Sequence, residues 1–144
     1  MTYRELISDW TTILRAALSC PVEEYERLDP PTVLRVQVVE GDEGEGEENA
    51  NDLNKVSGGT HFQRMHVQMI VETPWDEKKT TAEALDTAVE TIKAAIWANR
   101  TIDGSDGVDA DVSIYHGQVP FFLTYPGTDQ PWIKGRDVTA SWRV

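Results

Sequence analysis

The first strong pattern along the chain is a run of apolar residues at spacings of three and four, which is typical of one face of an α-helix. This run comprises Leu6, Ile7, Trp10, Ile13, Leu14, Ala17 and Leu18. Thr2 and Glu5 have the spacing of a capping box at the start of the helix. Pro21 disfavours helical geometry at Cys20, so the helix is predicted to end near residue 19. We expect its apolar face to cover a sheet.

Two later segments alternate apolar and polar residues, which is the period of a β-strand. After the breaker Asp29-Pro30-Pro31, the first segment places Leu34, Val36 and Val38 on one side and Arg35 and Gln37 on the other. The second segment places Met65, Val67, Met69 and Val71 opposite Arg64, His66 and Gln68. We expect the two strands, each with one buried face, to pair as a hairpin.

A second helix is predicted from Thr80 to about Asn99, because Pro74 closes the preceding strand and Thr80 with Glu83 has the spacing of a second capping box. Its core stripe is Leu85, Val89, Ile92 and Ile96. An adjacent arc of small side chains should let another helix, most naturally the first, approach closely. The arc comprises Ala84, Ala88, Thr91, Ala95 and Ala98. Trp97 lies on the other flank and is predicted to be at least partly exposed, as a contact residue or tucked against a loop.

The remainder of the chain predicts two or three strands. Residues 111–117 alternate, and residues 119–125 are apolar enough for a strand, although Pro120 argues against a central position. Residues 126–135 are predicted to form a long excursion, and residues 137–144 a final alternating strand. The order α-β-β-α-β-β(-β) predicts one α+β domain over residues 1–144, with a mainly antiparallel sheet of four to five strands and both helices on one face.

Composition narrows the class of protein. Apolar residues make up 40% of the 144 residues, and no apolar run approaches the 18 or so residues that a membrane helix requires. No secretory signal is visible at the N-terminus, so we expect the protein to begin in a cytoplasm. Cys20 is the single cysteine, which excludes an internal disulfide and a thiolate metal cluster.

The charge is strongly acidic and concentrated in one place. The net charge of −12 opposes nonspecific attraction to nucleic acid or anionic lipid. Residues 40–52 contain seven carboxylates and no base, and with three glycines they predict a mobile loop over residues 41–60. This loop is either a solvated tip or a contact segment. Its acids are Glu40, Asp42, Glu43, Glu45, Glu47, Glu48 and Asp52.

Tests for reaction chemistry give no candidate catalytic, cofactor-binding or metal-ligating residue. His61 and His66 would lie on opposite faces of a strand and roughly 16 Å apart, and His116 points away from His66 by the same alternation. The turn at residues 103–109 lacks the glycine and the final acid of an EF-hand, which leaves a solvated turn or weak calcium capture. No nucleophile elbow, P-loop or dinucleotide fingerprint is present.

The polar side of the predicted sheet carries several cationic residues. It combines Arg35, Arg64 and Arg143 with Gln37, His66, Gln68, Tyr115, Thr139 and Ser141. A basic face beside an acidic loop suits a head-to-tail contact between identical subunits, and repetition of that contact closes a ring if the rotation permits. Free solvation of the face is the alternative.

The pattern as a whole resembles the tail-terminator, or tail-completion, proteins of long-tailed bacteriophages. The resemblance lies in element order, length and the charged final strand, and it covers nearly the whole chain. Its segments are LISDWTTILRAAL, TVLRVQVV, the long loop, HFQRMHVQMIVE, the alanine-rich helix and RDVTASWRV. The acidic loop is longer and more acidic than the fold needs.

The resemblance implies a structural virion component without enzymatic activity or cofactor. Such a protein forms a ring, typically hexameric, at the head-proximal end of the tail tube, ends tube polymerisation and joins tail to head. The implied partners are further copies of itself, the tail-tube protein and a head-completion or connector protein, with DNA passing without specific binding. The implied location is the virion, with assembly in the host cytoplasm.

Under this interpretation, candidate interface residues are Arg35, Arg64, Arg143 and Trp97. The acidic loop either lines the channel and repels passing DNA or becomes ordered at a contact with the tube or connector. Two other functions remain open: a head-completion or other neck protein, and a small ligand-binding regulatory module whose pocket lies on the polar sheet face. An enzyme ranks third, because no motif supports one.

Overall fold

A computed structural model describes the backbone of residues 2–41, 64–99 and 113–143, and the side chains of residues 2–41, 66–99 and 120–141. This part of the chain contains two helices and five strands. In chain order they are α1 (Tyr3–Ala17), β1 (Val22–Glu24), β2 (Arg35–Glu40), β3 (Arg64–Pro74), α2 (Lys79–Ala98), β4 (Ser113–Thr124) and β5 (Pro131–Arg143). The predicted α+β class is confirmed.

Helix α1 begins with the predicted capping box. Thr2 Oγ1 accepts a hydrogen bond from the Glu5 amide at 3.2 Å, and Glu5 Oε2 accepts one from the Thr2 amide at 2.6 Å. The helix ends at Ala17, slightly before the predicted end, because Leu18 is extended and its amide caps the Leu14 carbonyl. The fully buried members of the predicted apolar face are Leu6, Ile7, Trp10 and Leu14.

The sheet is mixed, with the order β1-β2-β3-β5-β4. The predicted hairpin of β2 and β3 is confirmed, since the two strands pair antiparallel from Arg35 opposite Glu72 to Glu40 opposite Val67. The predicted element order is wrong at one place: β1 is an additional strand, and it runs parallel to β2. A strand of three residues is too short for an alternating pattern to show it.

The C-terminal part of the sheet also differs from the prediction. Residues 113–124 form one strand with a register shift between Tyr115 and Val119, and Pro120 lies in it at the sheet edge, as its missing amide requires. The predicted excursion over residues 126–135 is wrong. Pro131 is the first residue of β5, so the turn is short, and the Tyr125 amide donates to the Gln130 carbonyl at 2.9 Å across it.

Helix α2 has the predicted extent, but its predicted capping box is wrong. The N-cap is Lys78 and makes no side-chain cap hydrogen bond. Asp76 instead accepts hydrogen bonds from the Lys78 amide at 3.0 Å and from Thr81 Oγ1 at 2.7 Å. Helix α1 contacts α2 as expected. The predicted core stripe is buried at all four positions, Leu85, Val89, Ile92 and Ile96.

Both helices pack on the same face of the sheet, which is the core face. The apolar strand residues of this face alternate as predicted, and seven of them are fully buried: Val36, Val38, Val67, Met69, Val71, Val138 and Ala140. Burial of this apolar area is the main favourable term for the fold.

Most of the predicted acidic loop lies outside the described residues. Glu40 is exposed at the end of β2, and the Gly41 amide donates to the His66 carbonyl at 2.8 Å. Asp42, Glu43, Glu45, Glu47, Glu48 and Asp52 lie outside the described residues, as do His61 and the turn at residues 103–109. The side chain of His116 also lies outside them.

Candidate functional site

The polar face of the sheet, opposite the helices, is covered within the chain. The expectation of an accessible face on β2, β3 and β5 is therefore wrong for five of the residues that it names there, whereas Gln68 is partly exposed. Those five are less than a tenth exposed, and so is Glu72, which the sequence did not single out: Arg35, Gln37, His66, Glu72, Thr139 and Ser141. The segment that follows β1 contacts this face, since the Arg27 amide donates to Gln37 Oε1 at 3.1 Å.

Arg35 is the centre of a buried ion pair. Its Nε donates to Glu72 Oε1 at 2.6 Å, and the Gln37 side-chain amide donates to the same oxygen. Arg35 Nη2 also donates to the Asp29 carbonyl at 2.5 Å. The guanidinium, predicted to be an interface group, is thus used inside the chain to join β2, β3 and the segment after β1. It is removed from the candidate interface for that reason.

The other three candidate interface residues lie apart from Arg35. Arg64 and Arg143 are paired opposite each other by the register of β3 and β5, with side chains outside the described ones. Eight residues of β3, about 26 Å of strand, separate Arg64 from Glu72. Trp97 is 54% exposed near the end of α2, as predicted. The structure therefore does not bring the four residues into one surface.

Sequence reasoning missed a group of aromatic side chains where β3 ends beside the β4–β5 hairpin. We call Trp75, Phe122, Tyr125 and Trp132 the aromatic patch. The Trp75 and Phe122 ring centroids are 5.9 Å apart and tilted by 60°, and the Tyr125 and Trp132 rings stack at 5.1 Å. Trp75, Phe122 and Tyr125 are 37%, 59% and 44% exposed. Exposed aromatic groups of this kind mark sites of interaction with other molecules.

A polar anchor holds the aromatic patch to the start of α2. Lys134 Nζ lies 5.7 Å from the Trp75 ring centroid and donates to the Asp76 carbonyl at 2.7 Å and to Asp76 Oδ1 at 2.9 Å. The hydrogen bond from Lys134, followed by that from Thr81, lowers the pKa of Asp76 to about 2. The patch is thereby fixed relative to the helix layer.

The β4–β5 hairpin also packs closely against β3 at Gly135. A Cβ atom at this position would overlap the Val71 carbonyl oxygen and the ring of Phe121. The absence of a side chain therefore lets Phe121 of β4 lie directly over β5. One continuous row crosses the sheet here, through Arg35, Glu72, Gly135 and Phe121.

A second exposed apolar surface lies at the opposite edge of the sheet. Tyr25, Leu28 and Val33, which we call the edge segment, are 38%, 93% and 56% exposed. Tyr25 has a φ of 68°, in the left-handed region that is uncommon for non-glycine residues, and its amide donates to the Val38 carbonyl at 2.9 Å. This conformation turns the chain away from β1 and onto the polar face.

A groove of about 290 Å³ lies between the end of α1 and the small residues of α2. Its lining includes Leu18, Cys20, Leu34, Ala88 and Thr91. Cys20 is partly buried, and this burial raises the pKa of its thiol, which disfavours the reactive thiolate. The small-residue arc of α2 was predicted to let another helix approach closely, but beside Ala88 and Thr91 it leaves space instead.

Across the part of the chain that the structure describes, no three histidine, cysteine or acidic side chains form a group that would hold a metal ion. Neither described helix is long and apolar enough to cross a membrane. Comparison with models of known protein families gives no match for the chain. Comparison with curated protein sequences gives no significant match either.

Proposed function

We propose that the protein is a structural subunit that acts by assembling with other proteins, and that its role is to end a phage tail tube. In this role a ring of subunits sits on the head-proximal end of the tube, stops its polymerisation and joins tail to head. The role itself comes from the sequence resemblance. The structural observation that supports an assembly function is the aromatic patch, because clustered exposed aromatic side chains favour protein–protein contacts.

Termination of a tube has a physical requirement that this chain can meet. One ring surface must fit the tube subunit, and the opposite surface must reject the next tube ring while accepting the head connector. The sheet offers two unlike faces, one packed against the helices and one contacted at β2 by the segment after β1. A ring built from such subunits presents different surfaces at its two ends.

The acidic residues between Glu40 and Asp52 have a separate role in this proposal. Placed toward the channel, seven carboxylates per subunit repel DNA and keep it from adhering. Replacing them by glutamine should slow DNA passage without impairing ring formation, as measured by genome ejection from assembled particles. Unchanged ejection and infectivity contradict this role and favour ordering of the loop at a contact.

The direct test mixes the purified protein with a tail-tube subunit from the same source and measures tube lengths by electron microscopy. The expected result is rings at one end of each tube and shorter tubes as the ratio of protein to tube subunit rises. Tubes of unchanged length at every ratio overturn the proposal. Capture by a head connector with no effect on tubes assigns the protein to another neck role, such as head completion.

A small ligand-binding module is the second candidate, and the groove beside Cys20 favours it. Its volume of about 290 Å³ is near the lower end of ligand pockets. The version of this hypothesis that placed the pocket on the polar face fails, because Arg35, Gln37 and Glu72 are buried in mutual contact there. Saturable thermal stabilisation by a small molecule, abolished by Ala88→Phe, supports the groove as a binding site.

A further inference from the structure

We propose that copies of this chain associate head to tail, with the aromatic patch of one copy packed on the edge segment of the next. The inference rests on the proposed function in one respect: it identifies the surfaces that close the ring. The contact itself is a property of this chain alone, so it can be tested without any tail component.

The exposure of large apolar side chains supports this contact. The large apolar side chains that are more than a third exposed in the described chain fall almost entirely in two places, the edge segment and the region of the aromatic patch with Leu123. Single exposed apolar residues need no explanation, but two groups do. Leu28, at 93% exposed, has no packing role that would account for an apolar residue there.

The positions of the two surfaces along the strands also support the contact. The row Arg35, Glu72, Gly135 and Phe121 runs across the sheet from β2 to β4. At one end of this row Arg35 bonds to the Asp29 carbonyl, next to Leu28. At the other end Phe121 adjoins Phe122 of the aromatic patch. The two surfaces therefore lie near the same end of the strands, which suits a lateral contact that repeats from copy to copy.

The two surfaces lie at opposite edges of the sheet, near β1 and β4. A contact between unlike surfaces is heterologous and leaves each pair of copies with one free patch and one free edge segment. Such a contact propagates until it closes. A contact between two like surfaces would stop at a dimer.

The charged residues around the edge segment differ from those around the aromatic patch. Residues 22–29, around the edge segment, carry four acids and one base, and Glu24 and Glu26 are exposed. Around the aromatic patch, residues 74–80 and 120–136 carry four bases and three acids, and Lys78 is exposed. Lys134 and Arg136 pair with Asp76 and Asp86 within the chain, so the surroundings of the patch are close to neutral. Pairing unlike surfaces therefore avoids placing one acidic group against another. Pairing two edge segments sets acids against acids, which disfavours it.

The test uses two variants of the full chain, each with one surface disabled. Leu28→Ser removes the most exposed apolar group of the edge segment, and Phe122→Ser removes that of the aromatic patch. Tyr125→Ser replaces the second variant if circular dichroism shows that it has not folded. Trp97→Ser tests the rival contact, because Trp97 is a candidate interface residue that is exposed on α2 outside both surfaces.

Sedimentation velocity across a concentration series measures assembly. The wild type and the Trp97→Ser variant should form oligomers, and each surface variant alone should associate at least tenfold more weakly. An equimolar mixture of the two surface variants should form a dimer of one copy of each, since every such pair retains one intact patch and one intact edge segment.

The inference is overturned by a wild type that stays monomeric throughout, by surface variants that assemble like the wild type, or by a Leu28→Ser variant that still dimerises through its own patch. Loss of assembly in Trp97→Ser with retention in the others also overturns it, because it assigns the contact to α2. If rings form through these two surfaces but never shorten tail tubes, this inference is supported and the proposed function is contradicted.

Discussion

Glu72 is the residue on which the order of the polar face depends. Its side chain and that of Arg35 are each 7% exposed, so both charges are held away from water. A buried pair of this kind contributes little net stability compared with apolar residues of similar volume, but loss of one partner leaves an uncompensated charge. The pair therefore acts to fix which residues of β2 and β3 face each other.

The substitution Glu72→Ala is expected to lower the free energy of unfolding by about 3–5 kcal/mol, because the Arg35 guanidinium remains buried without its main partner. Urea unfolding measures the change. Glu23→Ala is the matched control: Glu23 pairs with Arg27 at the surface, and its loss should cost about 1 kcal/mol or less. The double variant Arg35→Met/Glu72→Met should recover much of the loss, and a double variant as unstable as Glu72→Ala contradicts this account.

Asp76 gives the protein an acid-sensitive contact. Its pKa lies near 2, below the ordinary 3.8, so the folded state binds this proton less readily than the unfolded state does. The resulting stabilisation is present above about pH 4 and is lost as the pH falls through about 2. Asp76→Asn should therefore be less stable than the wild type at neutral pH, and the two should converge near pH 2. A difference that is independent of pH would assign the effect to packing; chemical denaturation at several pH values distinguishes the two.

At the scale of elements, the hairpin of β4 and β5 depends on the close approach at Gly135. Gly135→Ala places a methyl group against the Val71 carbonyl and the Phe121 ring, and is expected to cost about 1–3 kcal/mol of stability by overpacking. Thermal unfolding measures it. Adding Phe121→Ala should not restore full stability, because the clash with the carbonyl of Val71 persists. Equal stability of Gly135→Ala and the wild type would mean that β5 shifts freely.

Some elements of the fold were predicted from the sequence and others were not. Both helices, the hairpin of β2 and β3 and the core face were predicted, because long periodic patterns report burial directly. Strand β1 was missed because three residues carry no period. The start of β5 was missed because Pro131 was interpreted as part of a loop, although proline is acceptable as the first residue of a strand.

The burial of the polar face and the aromatic patch were missed for a different reason. Alternation shows that Arg35 and Gln37 point away from the helices, but it cannot show that the segment after β1 folds back over them. The patch likewise depends on strand register, which brings Trp75 of β3 beside Phe122 of β4 although 46 residues separate them in sequence. Both features come from tertiary contacts between distant segments, so no local pattern predicts them.

At the scale of the whole molecule, the net charge of −12 opposes any association between copies. If the contact between subunits is mainly apolar, raising the salt concentration from about 0.05 M to about 0.5 M should strengthen assembly several-fold by screening this repulsion. Sedimentation velocity at the two concentrations measures the shift. Weaker assembly at high salt would mean that ion pairs dominate the contact.

The position of β5 has a consequence for biosynthesis. This strand is the last in chain order, yet it lies between β3 and β4 and pairs with both. Until translation has passed Arg143 and that segment has left the ribosome, β4 has no neighbour in the sheet, and the aromatic rings of Phe122 and Trp75 cannot be brought together. The aromatic patch therefore forms only after residues 131–143 have emerged, and a nascent chain that lacks them does not present this surface.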